Sequence, residues 1–212
     1  MKRKLLISAF LGLVGCITTQ GQNVHIPDPN FKAYLIENPD INTNGDNEIS
    51  VAEAEVFTGK IFCDGKNISD LTGIETFVNI TQLYCHNNQL SRLDLSSNTA
   101  LTVLVCAYNK IGILDIRKNT ALTYLNCCDN QLTFLNVSKN TALEKLDCSS
   151  NQLTSLDVSN NTALTRLYCS NNKLTSLDLN KNTALEQLWC GRNLQGSLDL
   201  SNNTELLELR YN

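Results

Sequence analysis

The chain has 212 residues, with 17 basic against 21 acidic side chains and a formal charge of −4, enough for one domain or two small ones. Three of the basic residues stand in the opening MKRK, and without them the balance is 14 to 21, about −7. That excludes the basic footprint that nucleic acid or anionic lipid head groups require.

The first predicted element is an export signal over residues 1–21. Lys2, Arg3 and Lys4 precede an apolar run from Leu5 to Gly15 that is too short to span a bilayer. Two cleavage patterns fit. "LVGC", Leu13 to Cys16, resembles the lipobox of bacterial lipoproteins, in which Cys16 would be acylated and become the new N-terminus. An ordinary signal peptidase would instead cut near Thr19-Gln20-Gly21. The expected location is the bacterial cell envelope, held there by a lipid anchor, or the exterior.

Residues 22–58 predict a small helical cap. Asp28 before Pro29 reads as an N-cap and first helical residue, with Phe31, Tyr34 and Leu35 on one face and Pro39 ending the helix. A second short helix is predicted from Val51 to Phe57. The linker "NTNGDNEISVAE" between them resembles an EF-hand loop. That resemblance implies calcium ligands at Asn42, Asn44, Asp46, Glu48 through its carbonyl, Ser50 and Glu53. Asn42 replaces the usual Asp, and Asn47 replaces the usual Gly at a left-handed position that Asn tolerates. Ser50 and Glu53 also spell S-x-x-E, a capping box for the second helix, so a metal-free turn explains the same letters.

Residues 59–212 are a repeat. Cys85, Cys106, Cys127, Cys148, Cys169 and Cys190 are each 21 apart, and Cys63 leads them by 22. Around each lies the frame "ALTxLxCxxNxL", and its second half, as in "LTSLDVSNN" (Leu153 to Asn161), repeats the rule. The pattern resembles the leucine-rich repeat LxxLxLxxNxL with Cys at one Leu position, in the bacterial form with nested periodicity. The expected fold is mainly β: a parallel solenoid, two extended segments per 21-residue coil, its coils about 4.8 Å apart. No coil can bury its Leu, Ile and Val alone, so stacking makes one continuous core.

Most constant letters are explained by packing. The leading asparagines (Asn88, Asn109, Asn130, Asn151, Asn172, Asn193) and the trailing ones (Asn98, Asn119, Asn140, Asn161, Asn182, Asn203) are expected to satisfy turn backbone from either edge. The ladder cysteines fall on the inward parity and serve as small hydrophobes. Cys128 falls on the outward parity and is expected to be exposed. The Asp column (Asp94, Asp115, Asp157, Asp178, Asp199, with Asn136 in the gap) is expected to make Asx hydrogen bonds into the following turn.

The variable letters fall into two outward rows of the strand, at its third and fifth positions. One reads Gln82, Val103, Tyr124, Lys145, Arg166, Gln187, Glu208, and the other Tyr84, Val105, Asn126, Asp147, Tyr168, Trp189, Arg210. Tyr, Trp and Arg are the residues binding hot spots use. Tyr84, Tyr124, Arg166, Tyr168, Gln187 and Trp189 are therefore the candidate binding residues, although strands favour aromatics for packing alone. No nucleophile, metal-hydrolase or phosphate-loop motif appears, and no catalytic residue is assigned. The expected function is a non-enzymatic binding module for a protein or glycan ligand, with no cofactor beyond the calcium that the EF-hand resemblance implies. The alternative is a structural element of the envelope. "TELLELRYN" opens a further coil and stops inside it, so self-association through this end, or a longer chain, is expected.

Overall fold

The computed structural model describes residues 21–193 and 198–211. The signal segment and Cys16 lie outside them. Eight parallel strands form one sheet in chain order: β1 (Lys60–Phe62), β2 (Gln82–Tyr84), β3 (Val103–Val105), β4 (Tyr124–Asn126), β5 (Lys145–Asp147), β6 (Arg166–Tyr168), β7 (Gln187–Trp189) and β8 (Glu208–Arg210). Each pairs in register with the next, so Leu83, Leu104, Leu125, Leu146, Leu167 and Leu188 form one column. These central leucines are all buried, and the residues flanking them face outward. Alternation along a strand of three residues is enough to set this. The second half of each coil packs its leucines into the same core but carries no strand ladder among the described residues.

The ladder cysteines are wholly buried, and their N–H groups continue the sheet, as in Cys127 N to Asp147 O (2.8 Å) and Cys148 N to Tyr168 O (2.8 Å). Leading asparagines bind in both directions. Asn130 Oδ1 accepts from Ile111 N (2.9 Å), while its Nδ2 donates to Cys106 O (3.0 Å) and Cys127 O (3.2 Å). Each trailing asparagine donates Nδ2 to two carbonyls of the preceding coil, as Asn119 does to Leu95 O (3.0 Å) and Asn98 O (2.9 Å). An amide is the shortest side chain that can tie one coil to the next at both edges. The Asp column makes the expected Asx bonds, among them Ser96 N to Asp94 Oδ1 (2.9 Å) and Ser159 N to Asp157 Oδ1 (2.9 Å).

Cys128 departs from expectation. It is buried at 7% exposure because the strand ends at Asn126 and the chain turns at Cys127, so strand parity no longer applies. The same turn puts one residue per coil in the left-handed region, including Asn87, Tyr108 (φ 53°), Asp129 and Arg192.

At the N-terminal end, α1 (Pro29–Ile36) and α2 (Val51–Val56) cover the first coil. Phe31 and Leu35 are fully buried, and the Tyr34 hydroxyl accepts from Phe62 N at the edge of β1 (2.8 Å). Asp28 does two jobs. Its Oδ1 caps α1 by accepting from Asn30 N and Phe31 N (3.0 Å each), and its Oδ2 accepts from Ser69 N (2.8 Å) in the first coil. Burial alone would raise its pKa, but the hydrogen bonds from Ser69, Phe31 and Asp70 outweigh that and lower it.

Candidate binding face

The outward rows of β1–β8 change from coil to coil, and they fall into two aromatic groups with a polar hollow between. At the N-terminal side Phe62 stacks on Tyr84, with centroids 4.8 Å apart. At the other side Tyr168 stacks on Trp189 (4.3 Å), and Arg210 lies over the Trp189 ring (4.0 Å). Trp189 Nε1 donates to Glu208 Oε1 (3.2 Å), and the Tyr168 hydroxyl donates to Gln187 Oε1. In-register parallel pairing produces such stacks, because side chains one coil apart sit one strand spacing apart, about 4.8 Å.

Between the groups lies a cavity of about 200 Å³ lined by Tyr124, Lys145, Leu146, Asp147, Arg166 and Tyr168. Arg166 lines it, and its Nε is buried without a hydrogen-bond partner. Arg92, Arg117 and Arg210, by contrast, each meet a carboxylate, at 2.9, 2.7 and 2.9 Å. Asp147 Oδ1 accepts from Ser149 N (3.0 Å), and burial pushes its carboxyl pKa up, with Asp129 adding to the rise.

Of the candidate residues, Arg166, Tyr168, Gln187 and Trp189 are brought into one cluster, Tyr124 joins it across the cavity, and Tyr84 stands apart with Phe62. Phe62 was not among the candidates, although it precedes Cys63 as Tyr84 precedes Cys85. Lys145, Asp147, Glu208 and Arg210 carried only the signal of belonging to the variable rows.

A larger hollow, about 990 Å³, lies over the second halves of the early coils, lined among others by Asp70, Glu75, Arg92, Ile113, Asp115 and Arg117. Its charges are largely spent on each other, through the Arg92–Asp70 and Arg117–Asp115 pairs. The smaller hollow keeps its charges unpaired and sits beside the aromatics, which makes it the stronger site.

The loop from Asn42 to Glu53 holds itself together. Glu53 Oε1 accepts from Thr43 N (2.9 Å), Thr43 Oγ1 (3.0 Å) and Asn44 N (3.2 Å), and Oε2 accepts from Ser50 N (2.9 Å) and Ser50 Oγ (2.8 Å). Glu48 pairs with Lys32 at 2.6 Å. Asn42 Nδ2 donates to Ile36 O (3.1 Å) and Asp46 O (2.7 Å), and its buried Oδ1 has no protein donor. Asn44 Oδ1 accepts from Asp46 N (2.8 Å). The left-handed residue is Gly45 (φ 72°) and not Asn47, because glycine enters that backbone region without the penalty a side chain incurs. With both Glu53 oxygens committed to protein donors, the loop as arranged does not fit a bidentate calcium ligand at its last position.

Among the described residues no helix is long and apolar enough to cross a membrane. A leucine-rich repeat family model, "Leucine Rich repeats (2 copies)", matches residues 141–181. Internalin J of Listeria monocytogenes is 41% identical over 82 residues, which are 38% of this chain and 8% of that protein. A solved internalin C2 from Listeria monocytogenes superposes with a TM-score of 0.66 at 18% identity, over 88% of this chain and 94% of that one. A leucine-rich repeat protein of Leptospira interrogans does so at 0.62 and 18% identity, over 77% of this chain and 51% of that one. These two likenesses concern the fold alone.

Proposed function

We propose that this chain, with the leucine-rich repeats that the family model matches and the solenoid fold of internalin C2, is a non-enzymatic binding module that recognises a protein or glycan partner through its strand face. The observation that carries this is the stacked run Tyr168–Trp189–Arg210 beside an open polar hollow on the strand face. Flat aromatics backed by Arg give large contact at low entropic cost. Fold likeness supports an interaction role without naming the partner.

A screen of the purified protein against envelope glycans and cell-surface proteins, run beside the Tyr168→Ala/Trp189→Ala double variant, tests the face. A hit weakened at least tenfold in the variant is expected. A hit the variant keeps, or none at all, favours the second role, a structural element of the envelope. Export, with acylation at Cys16, belongs to the same proposal; loss of membrane association in Cys16→Ser is its check. Exposed Leu207 and Leu209 on the last coil support self-association through that end, and a strictly monomeric mass by light scattering at high concentration would overturn it. For the 42–53 loop we propose a metal-free turn and cap. A calcium-dependent rise in Tm that vanishes in Asp46→Ala would replace it with a calcium site.

A further inference from the structure

We infer that the hollow between β4 and β6 is a subsite for one acidic sugar residue of a glycan, with Arg166 and Lys145 holding its carboxylate and Asp147 accepting from a ring hydroxyl. The inference rests on the strand face being the binding surface and names the chemistry of its centre.

Three features of the hollow select this occupant. The first is charge. Lys145 and Arg166 are register partners on adjacent strands, and neither makes a side-chain hydrogen bond or ion pair among the described residues. With its Nε shielded and unpartnered, the Arg166 guanidinium has only its terminal nitrogens to offer, and these can hold a carboxylate through two parallel bonds. The hollow is thus a positive point on an acidic molecule.

The second feature is Asp147. It lies in the same hollow, is paired to no cation, and is drawn out of water enough that burial raises its pKa. An aspartate or glutamate side chain of a protein partner would bring the carboxylate for Lys145 and Arg166 but no donor for Asp147. A uronic acid brings hydroxyl donors on the ring that carries its carboxylate, so both signs of charge are answered by one residue.

The third feature is size and wall. A volume of about 200 Å³ is roughly seven water volumes, the scale of one sugar ring and more than a lone carboxylate needs. Tyr124 and Tyr168 line it, and the Tyr168–Trp189–Arg210 stack continues beyond it, where the ring edges extend the apolar wall for a neighbouring sugar.

Calorimetric titration of the folded protein with tetragalacturonate, its methyl ester, a hyaluronan tetrasaccharide and a glutamate-rich peptide tests this. At least one acidic saccharide is expected to bind, with the ester at least tenfold weaker than the free acid where galacturonate binds. Arg166→Gln and Asp147→Asn should each weaken binding about fivefold or more without lowering Tm. The Asn variant should fold well, because Asn126 already occupies the equivalent position on β4 and accepts from Cys128 N (3.1 Å). Failure of every acidic saccharide to bind overturns the subsite, as does equal binding by the two variants. Binding of the peptide alone assigns the hollow to an acidic protein partner and overturns it too. If the subsite fails while the Tyr168→Ala/Trp189→Ala variant still loses a partner, the strand-face reading survives without it.

Discussion

At the scale of single residues, the cysteines show how a reactive side chain becomes inert. Burial pushes the thiols of Cys63, Cys106 and Cys128 up to about 12 and Cys190 to about 11, and raises Cys85, Cys127, Cys148 and Cys169 as well. The thiolate is the nucleophile, so almost none exists at neutral pH. All eight described thiols should resist iodoacetamide at pH 8 in the folded protein and react once urea unfolds it. Rapid labelling of Cys128 in the native state would contradict the burial found for it. The ladder itself was legible in the sequence, because a spacing of 21 shared with the leucines fixes the inward side. The burial of Cys128 was not, because it depends on where the strand stops, and a run of three strand residues leaves no margin for parity to be carried further.

At the scale of elements, the cap and the turns carry the strain and the charge. Glu53 is held at about 2: burial would raise it, but hydrogen bonds from Ser50, Asn44 and Thr43 outweigh that. The unfolded chain titrates near 4.5, so the stabilisation is present above that value and is lost as pH falls from it toward 2. Glu53→Gln should cost about 1.5–3 kcal/mol at neutral pH, the range for hydrogen bonds to a charged group. The difference from wild type should narrow below pH 4.5, as followed by urea unfolding across pH. An unchanged gap from pH 7 to pH 2.5 would refute the assignment. The turns offer a gain instead. Tyr108 sits at φ 53° and is more than half exposed, so Tyr108→Gly should stabilise by about 0.5–1 kcal/mol, set by the left-handed penalty of a residue with a Cβ. A fall in Tm would mean that its ring contributes more than its backbone costs. The capping box could be read from S-x-x-E alone, since both halves of it lie within one turn of helix. That the same Glu53 also closes the loop through Thr43 and Asn44 could not, because those contacts span ten and nine residues.

At the scale of the whole molecule, stability is shared along a stack in which each coil touches only its neighbours. Leu146, in the middle and 1% exposed, is packed from both sides, and Leu146→Ala should cost about 2–5 kcal/mol. Leu209, 46% exposed on the last strand, is packed from one side, and Leu209→Ala should cost under about 1 kcal/mol. Comparable losses at the two sites in urea would mean that the end of the stack is covered by something else.

The sequence by itself determined the solenoid, its register, the inward leucines and cysteines, and the two rows that vary, because each follows from a period and needs no knowledge of distant contacts. The period also brings Tyr168 and Trp189, 21 residues apart, onto adjacent coils, where parallel pairing stacks them. It could not say which charges in those rows find partners. The same stacking leaves Arg166 without a partner beside Asp147. Charges in a row sequence look solvated and alike. Only the packed face decides which are paired, which are desolvated, and so which are left to meet a ligand.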